Sequence, residues 1–218
     1  MNCLKNIYPS IYSANHGKLL DECKKVESIG FQILHVDIQD HLYASEISFG
    51  MKLVKILRES SSMKFDLHLI LSEVENYLDR LEGLTAIKAV TIHPCGERFP
   101  ERIVGKITKM GYSVGLAFTL KDPVEEYAFL RDKVKSVLIC TASADGKGNS
   151  YNPYSVQYIK RVRNVFPMHD IVVDGDVNIN NLVSIRTAGA THFVMGREIF
   201  ETPDLENKTK ELNQLLSL

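Results

Sequence analysis

The hydrophobic period along this chain switches repeatedly between two and three to four. Short apolar runs lie near Ile7-Tyr8, Gln32–Ile38, Lys64–Ile70, Ile87–His93, Ser113–Thr119, Ser136–Ala142, Asp170–Asp174 and Thr191–Met195, and runs of this length predict strands. Between them, apolar residues recur at helical spacing: Leu19, Cys23, Val26 and Ile29, then Ile103, Ile107 and Met110, then Val156, Ile159, Val162 and Phe166. Gly30, Gly111 and Gly189 follow helical stretches where a left-handed C-cap suits glycine, and Pro123 stands where a first helical turn accepts proline. A closing helix is expected over Asp204–Leu218, carrying Leu205, Leu212 and Leu216.

Eight strand-then-helix units in 218 residues, with no low-complexity linker and no break in composition, predict one (β/α)8 TIM barrel domain over residues 1–218. The competing open, doubly wound sheet expects a glycine-rich phosphate turn after its first strand. Here Ile7-Tyr8 is followed instead by Pro9-Ser10-Ile11-Tyr12-Ser13.

In such a barrel the chemistry sits at the C-terminal ends of the strands. Residues two apart on a strand share a face, which gives weight to His35-Val-Asp37, Asp66-Leu-His68 and Val172-Val173-Asp174-Gly175. If all three runs belong to one parallel barrel, His35, Asp37, His68 and Asp174 point inward at one rim and compose a metal site with two carboxylates. His93 ends the fourth run at the same rim, whereas His169 and His192 begin their strands and belong to the structural end. His16 is expected to open the first helix, and His41 lies in the loop after the second strand. Two imidazoles and two carboxylates suit Zn²⁺, Fe²⁺, Mn²⁺ or Co²⁺, because mixed nitrogen and oxygen ligands discriminate poorly among them. Zn²⁺ is the metal most expected in a structure.

Composition narrows the function classes. The chain is 44% hydrophobic and 24% charged with a formal net charge of -1, so no large positive field gathers nucleic acid or an anionic membrane. The cluster Lys160-Arg161-Arg163 reads as the wet face of a helix. Cys3, Cys23, Cys95 and Cys140 are widely spaced, which suggests reduced thiols. Met1–Ser13 lacks a continuous apolar stretch and no segment reaches membrane-spanning length, so an untargeted cytoplasmic protein is expected.

From Pro9 to about Phe200 the chain resembles the ribulose-phosphate 3-epimerase family. Pro9-Ser10-Ile11-Tyr12-Ser13-Ala14 resembles the family's first-strand motif, and His35-Val-Asp-Ile-Gln-Asp40, continuing to Ile47-Ser-Phe-Gly50, its second-strand signature. Asp66-Leu-His-Leu69, Val90-Thr-Ile-His-Pro94, Val173-Asp-Gly175 and Met195-Gly-Arg-Glu-Ile-Phe200 follow in the family's order. The resemblance implies one divalent metal ion on His35, Asp37, His68 and Asp174, and inversion of carbon 3 of a ketose phosphate through an enediolate. It further implies Asp37 as proton acceptor and Asp174 as donor in one direction, with roles exchanged in reverse, and a homo-oligomer. The substrate would contact Ser10, Gln39 and His68, and its phosphate the loops after strands six, seven and eight: Gly146, Lys147 and Gly148; Gly175 and Asp176; Gly196 and Arg197.

Several of these positions depart from the family pattern. The sixth loop reads Asp145-Gly146-Lys147-Gly148-Asn149 where a glycine-rich run is expected, the seventh Gly175-Asp176 for two glycines, and the eighth Gly196-Arg197 for Gly-Ser. A carboxylate about 5 Å from a phosphate is opposed by roughly 3 kcal/mol per unit charge at an effective dielectric of ~20. Lys147 and Arg197 can offset this, with an Arg197–Asp176 ion pair expected, or all three side chains turn outward; retained phosphate binding is the expectation. Gln39, Ile70 and Cys140 replace methionines of the family's lid. Such changes suit a relative acting on ribulose 5-phosphate and xylulose 5-phosphate or on a related ketohexose 6-phosphate. The alternative is a noncatalytic metal and sugar-phosphate binding barrel. Related decarboxylases and hexulose-phosphate synthases with an Asp-x-Lys-x-x-Asp motif are excluded by Gln39 at the lysine position.

Overall fold

A computed structural model describes residues 3–42, 44–143 and 149–217. Eight strands form one parallel sheet: β1 (Ile7–Pro9), β2 (Ile33–Gln39), β3 (Lys64–Ile70), β4 (Ile87–Ile92), β5 (Val114–Thr119), β6 (Ser136–Cys140), β7 (Asp170–Asp174) and β8 (His192–Met195). Hydrogen bonding runs β1-β8-β7-β6-β5-β4-β3-β2. The two ends of that order meet at an isolated parallel bridge, Ser10 opposite His35, which makes the sheet a nearly closed barrel. The expected strand positions hold throughout, with His93 falling just past the end of β4.

The crossovers are less uniform than the periodicity suggests. Regular helices α1 (Leu19–Ile29), α2 (Met51–Ser60), α4 (Pro100–Lys109), α5 (Ser155–Val165) and α6 (Ile179–Thr187) cover five of them. After β3 there is one helical turn, α3 (Val74–Tyr77), and after β5 a 3₁₀ stretch, Val124–Lys133. Pro123 precedes that stretch rather than opening an α-helix. Only Val124 and Leu130 are buried within it, so no apolar stripe draws it into a regular α-helix against the barrel. The chain closes with α7 (Arg197–Phe200) and α8 (Leu205–Ser217). Gly30, Gly111 and Gly189 end their helices at φ 108°, 88° and 118°, as a left-handed C-cap requires.

Two apolar layers follow from strand alternation. Outward-facing residues such as Leu34, Val36, Leu67, Leu116 and Val173 pack under the helices in the main core. Inside the barrel Tyr8, Ala117, Leu138, Val172 and Val194 form a separate plug. Ser10, Cys140, Asp174 and Gly196 each stand two residues beyond a member of that plug, so they belong to the next layer up, at the C-terminal rim. The plug excludes water from below and leaves the rim as the place where polar side chains face one another.

Two expectations about surface groups acquire physical detail. Arg161 of the basic cluster pairs with Glu125, and Arg163 donates to the carbonyls of Pro167, His169 and Gly189, tying the end of α5 to β7 and to the turn after α6. Cys23, Cys95 and Cys140 are free thiols. Among the described residues no helix is long and apolar enough to cross a membrane.

Candidate active site

The register of β2 on β3 sets the site. His35 lies opposite Asp66 and Asp37 opposite His68, so four polar side chains from two adjacent strands meet inside the barrel. The ring of His35 bonds through Nδ1 to Asp66 Oδ2 at 2.8 Å and turns Nε2 toward Asp37 Oδ1 at 3.2 Å. His68 presents Nδ1 to the same Asp37 oxygen at 3.1 Å, while its Nε2 lies 2.9 Å from Nε2 of His93. Asp174, at the end of β7, brings Oδ2 to 3.6 Å from His35 Nε2 and 3.7 Å from His68 Nδ1. Ser10 donates its hydroxyl to the other Asp37 oxygen at 3.0 Å.

These groups are buried: His35 and His68 are at most 1% exposed, and Asp37, Asp66 and His93 are below 9%. Burial by itself disfavours every charge, yet here opposite charges face each other. Burial pulls the His35 and His68 imidazoliums down, but Asp37 and Asp174 outweigh it and hold both well above the ordinary histidine range. Burial likewise pushes Asp37 and Asp174 up, and the two imidazoles reverse that, keeping both carboxyls below the usual range. His93, by contrast, is pushed down to about 3 by burial and by the neighbouring His68. A neutral His93 suits a partner that orients His68 without adding charge.

One donor atom from each of His35, Asp37, His68 and Asp174 lies within 4.8 Å of the others. The residues fit a divalent cation on a second count: each imidazole has its outer nitrogen engaged, by Asp66 or by His93, so the inner nitrogen is aimed. Sequence reasoning missed Asp66 and His93 as partners, although Asp66 stands two residues before His68 and therefore on its face. Only the strand register, which a single sequence does not give, pairs Asp66 with His35.

Asp37, His68 and Asp174 open into a cavity of about 730 Å³, also lined by Ser10, Gln39, Gly175, Asp176, Gly196 and Arg197. Gln39 is buried at the end of β2. On the opposite flank the expected ion pair forms, with Arg197 Nη2 2.6 Å from Asp176 Oδ1, so these two side chains do not both turn outward. Gly175 adopts φ 116°, and a Cβ there would come within 2.5 Å of the Ala142 backbone nitrogen, so two loops touch at a spot only glycine fits. Gly146, Lys147 and Gly148 lie outside the described residues.

Residues 6–200 match the ribulose-phosphate 3 epimerase family. The chain belongs to that family. It is 27% identical over 216 residues to the ribulose-phosphate 3-epimerase of Escherichia coli, covering 97% of this chain and 96% of that one. The ribulose-phosphate 3-epimerase of Buchnera aphidicola is 29% identical over 198 residues, 88% of this chain and 86% of the other. That of Methanocaldococcus jannaschii is 26% identical over 209 residues, 94% and 88%. Among solved structures, orotidine 5'-phosphate decarboxylase from Pyrococcus horikoshii superposes with a TM-score of 0.67 at 12% identity, over 97% of this chain and 99% of that one. A mutant tryptophan synthase alpha-subunit from Pyrococcus furiosus gives 0.67 at 14% identity, over 97% of each. Those two likenesses carry the barrel fold alone. Membership in the epimerase family makes the chain a sugar-phosphate epimerase, an isomerase, with a His and Asp group suited to a metal.

Proposed function

We propose that this chain, as one barrel domain over residues 1–218, inverts carbon 3 of a ketose phosphate, either ribulose 5-phosphate and xylulose 5-phosphate or a related ketohexose 6-phosphate. The observation that carries this is the convergence of Asp37 from β2 and Asp174 from β7 on the same two imidazoles at the mouth of one cavity. Two carboxylates on different strands can address two faces of one carbon, and inversion needs a proton taken from one face and another returned on the opposite face. Asp37 accepts the carbon 3 proton in one direction while Asp174, ionised in the free site, must take up a proton as substrate binds and delivers it to the opposite face; reversal exchanges the roles. Ser10 donates its hydroxyl to one Asp37 oxygen, which fixes the aim of that carboxylate before substrate arrives; in the metal-free protein His35 and His68 bond its other oxygen.

His35, Asp37, His68 and Asp174 would hold one divalent cation, with Zn²⁺, Fe²⁺, Mn²⁺ and Co²⁺ all compatible with this donor set. When bound, such an ion polarises a ketone and steadies the negative charge that develops as the neighbouring carbon loses its proton. Asp66 and His93 keep the two imidazoles turned toward it. Ser10, Gln39 and His68 line the part of the cavity where the reacting carbons would lie, and Gly175, Asp176, Gly196 and Arg197 the part where the phosphate would.

Proton NMR in D₂O on metal-loaded protein tests the reading, with a panel of ketopentose and ketohexose phosphates and their unphosphorylated forms. Deuterium entering at carbon 3 together with the epimer is the expected result. A panel that shows neither, with metal bound and the fold intact, overturns it in favour of a binding protein without turnover.

A further inference from the structure

On the β7–β8 flank of the cavity the protein has already placed an anion of its own. Asp176 follows Gly175 with φ 54°, a left-handed conformation that side chains seldom adopt and that aspartate tolerates better than most. Its main chain is pinned: the Asp176 carbonyl accepts from Asn178 Nδ2 and Asn181 Nδ2, both at 2.9 Å, and the Gly175 carbonyl accepts from Thr141 Oγ1 at 2.5 Å. The carboxylate then collects two donors from elsewhere in the fold. Oδ2 accepts the Tyr151 backbone N–H at 3.0 Å, and Oδ1 accepts from Arg197 Nη2 at 2.6 Å. A backbone N–H and a guanidinium converging on one oxyanion are the elements of a phosphate site. Here a tethered carboxylate fills it.

We propose that Asp176 is a built-in competitor for the substrate's phosphate, which must displace the carboxylate from Arg197 and the Tyr151 N–H in order to bind. The inference rests on the reading of the cavity as a sugar-phosphate site and adds the element that sets its affinity. Charge supports it. Arg197 is the one Lys or Arg side chain among the described lining residues, against Asp37, Asp174, Asp176, Glu198 and Glu201. Glu198 is answered by Lys208 at 2.8 Å outside that lining, and Arg197 is answered by Asp176. A dianion arriving with Asp176 in place therefore meets a carboxylate beside the cation it needs, whereas rotation of the Asp176 side chain presents both donors and moves the opposing charge away. Because the main chain is pinned, that rotation is confined to the side chain. The site thus binds phosphate more weakly than its donors allow, resists inorganic phosphate and lets a phosphorylated product go.

Titration of the metal-loaded protein with inorganic phosphate by isothermal calorimetry tests this. Asp176→Asn keeps an acceptor for the Tyr151 N–H, tolerates the positive φ and removes the charge; it is expected to bind phosphate at least about tenfold more tightly than the parent, about 1.4 kcal/mol. Adding Arg197→Met should erase the gain, which separates this site from phosphate taken up by the metal. If D176N does not fold, Asp176→Gly, equally at ease at positive φ, reads the same quantity. Phosphate binding equal to or weaker than the parent's in the folded variant overturns the proposal and makes Asp176 a residue that merely positions Arg197. Since phosphate binding needs no turnover, tighter binding without epimerisation of any sugar would sink the epimerase reading alone, and epimerisation without tighter binding would sink the competitor alone.

Discussion

The two flanks of the cavity are built on different principles. On the β2–β3 side His35, Asp37, Asp66 and His68 all come from strands and lie opposite one another in register, and each imidazole is braced by a second side chain. On the β7–β8 side Asp174 ends a strand but the polar groups beyond it come from loops, Gly175 and Asp176 both sit at positive φ, and a backbone N–H and an arginine meet a carboxylate from the same chain. The first flank keeps the residues that carry the resemblance to the family, Gln39 apart; the second departs from the pattern of that resemblance at Asp176 and Arg197. Under the proposed function, proton transfer rests on side chains that strands hold, and phosphate recognition on loops whose substitutions leave the strands untouched.

The largest effect that would sharpen this contrast is loss of the proton-transfer pair. Asp37→Asn and Asp174→Asn should each lower epimerisation by about 10³-fold or more, measured by appearance of the second epimer; undiminished turnover in either removes the acid and base assignment. Next in size is the brace. Asp66→Asn, which touches no reacting atom, should weaken metal binding by roughly 10- to 100-fold in competition with a chelator. Proton competition should come third. In the metal-free protein the imidazoles of His35 and His68 are held protonated by Asp37 and Asp174, and a ligand imidazole must be neutral. Metal affinity should therefore fall as pH falls, by about tenfold per pH unit for each proton displaced. The two carboxyls, held below their usual range, stay ionised in that window and add nothing to the slope. The smallest effect is a deliberate absence: Arg197→Met should leave metal affinity within about twofold of the parent, as expected for sites without shared partners. A larger drop would break the separation of the two flanks.

The same division explains what was legible in the sequence. His35, Asp37, His68 and Asp174 could be read because strand alternation has a fixed period and barrel strands end at a common rim. Asp66 obeys the same alternation, but its role depends on which residue of β2 stands opposite, and pairing register leaves no mark in one strand's sequence. His93 could be placed at the rim but not against His68, for the same reason. The Asp176–Arg197 pair followed from charge, whereas the Tyr151 N–H that completes the anion site could not, since a backbone donor has no residue signature. Pro123 suits the first turn of either helical form, so the 3₁₀ character of Val124–Lys133 leaves no mark in the sequence.

The bridge between Ser10 and His35 carries a consequence for the whole molecule. The two ends of the sheet meet at that bridge, and both of its residues also reach Asp37 in the metal-free protein, one by a hydroxyl and one by a ring nitrogen. Opening of the seam would therefore move two groups that contact that carboxylate. Closure of the barrel and the proposed proton transfer thus share one short piece of backbone.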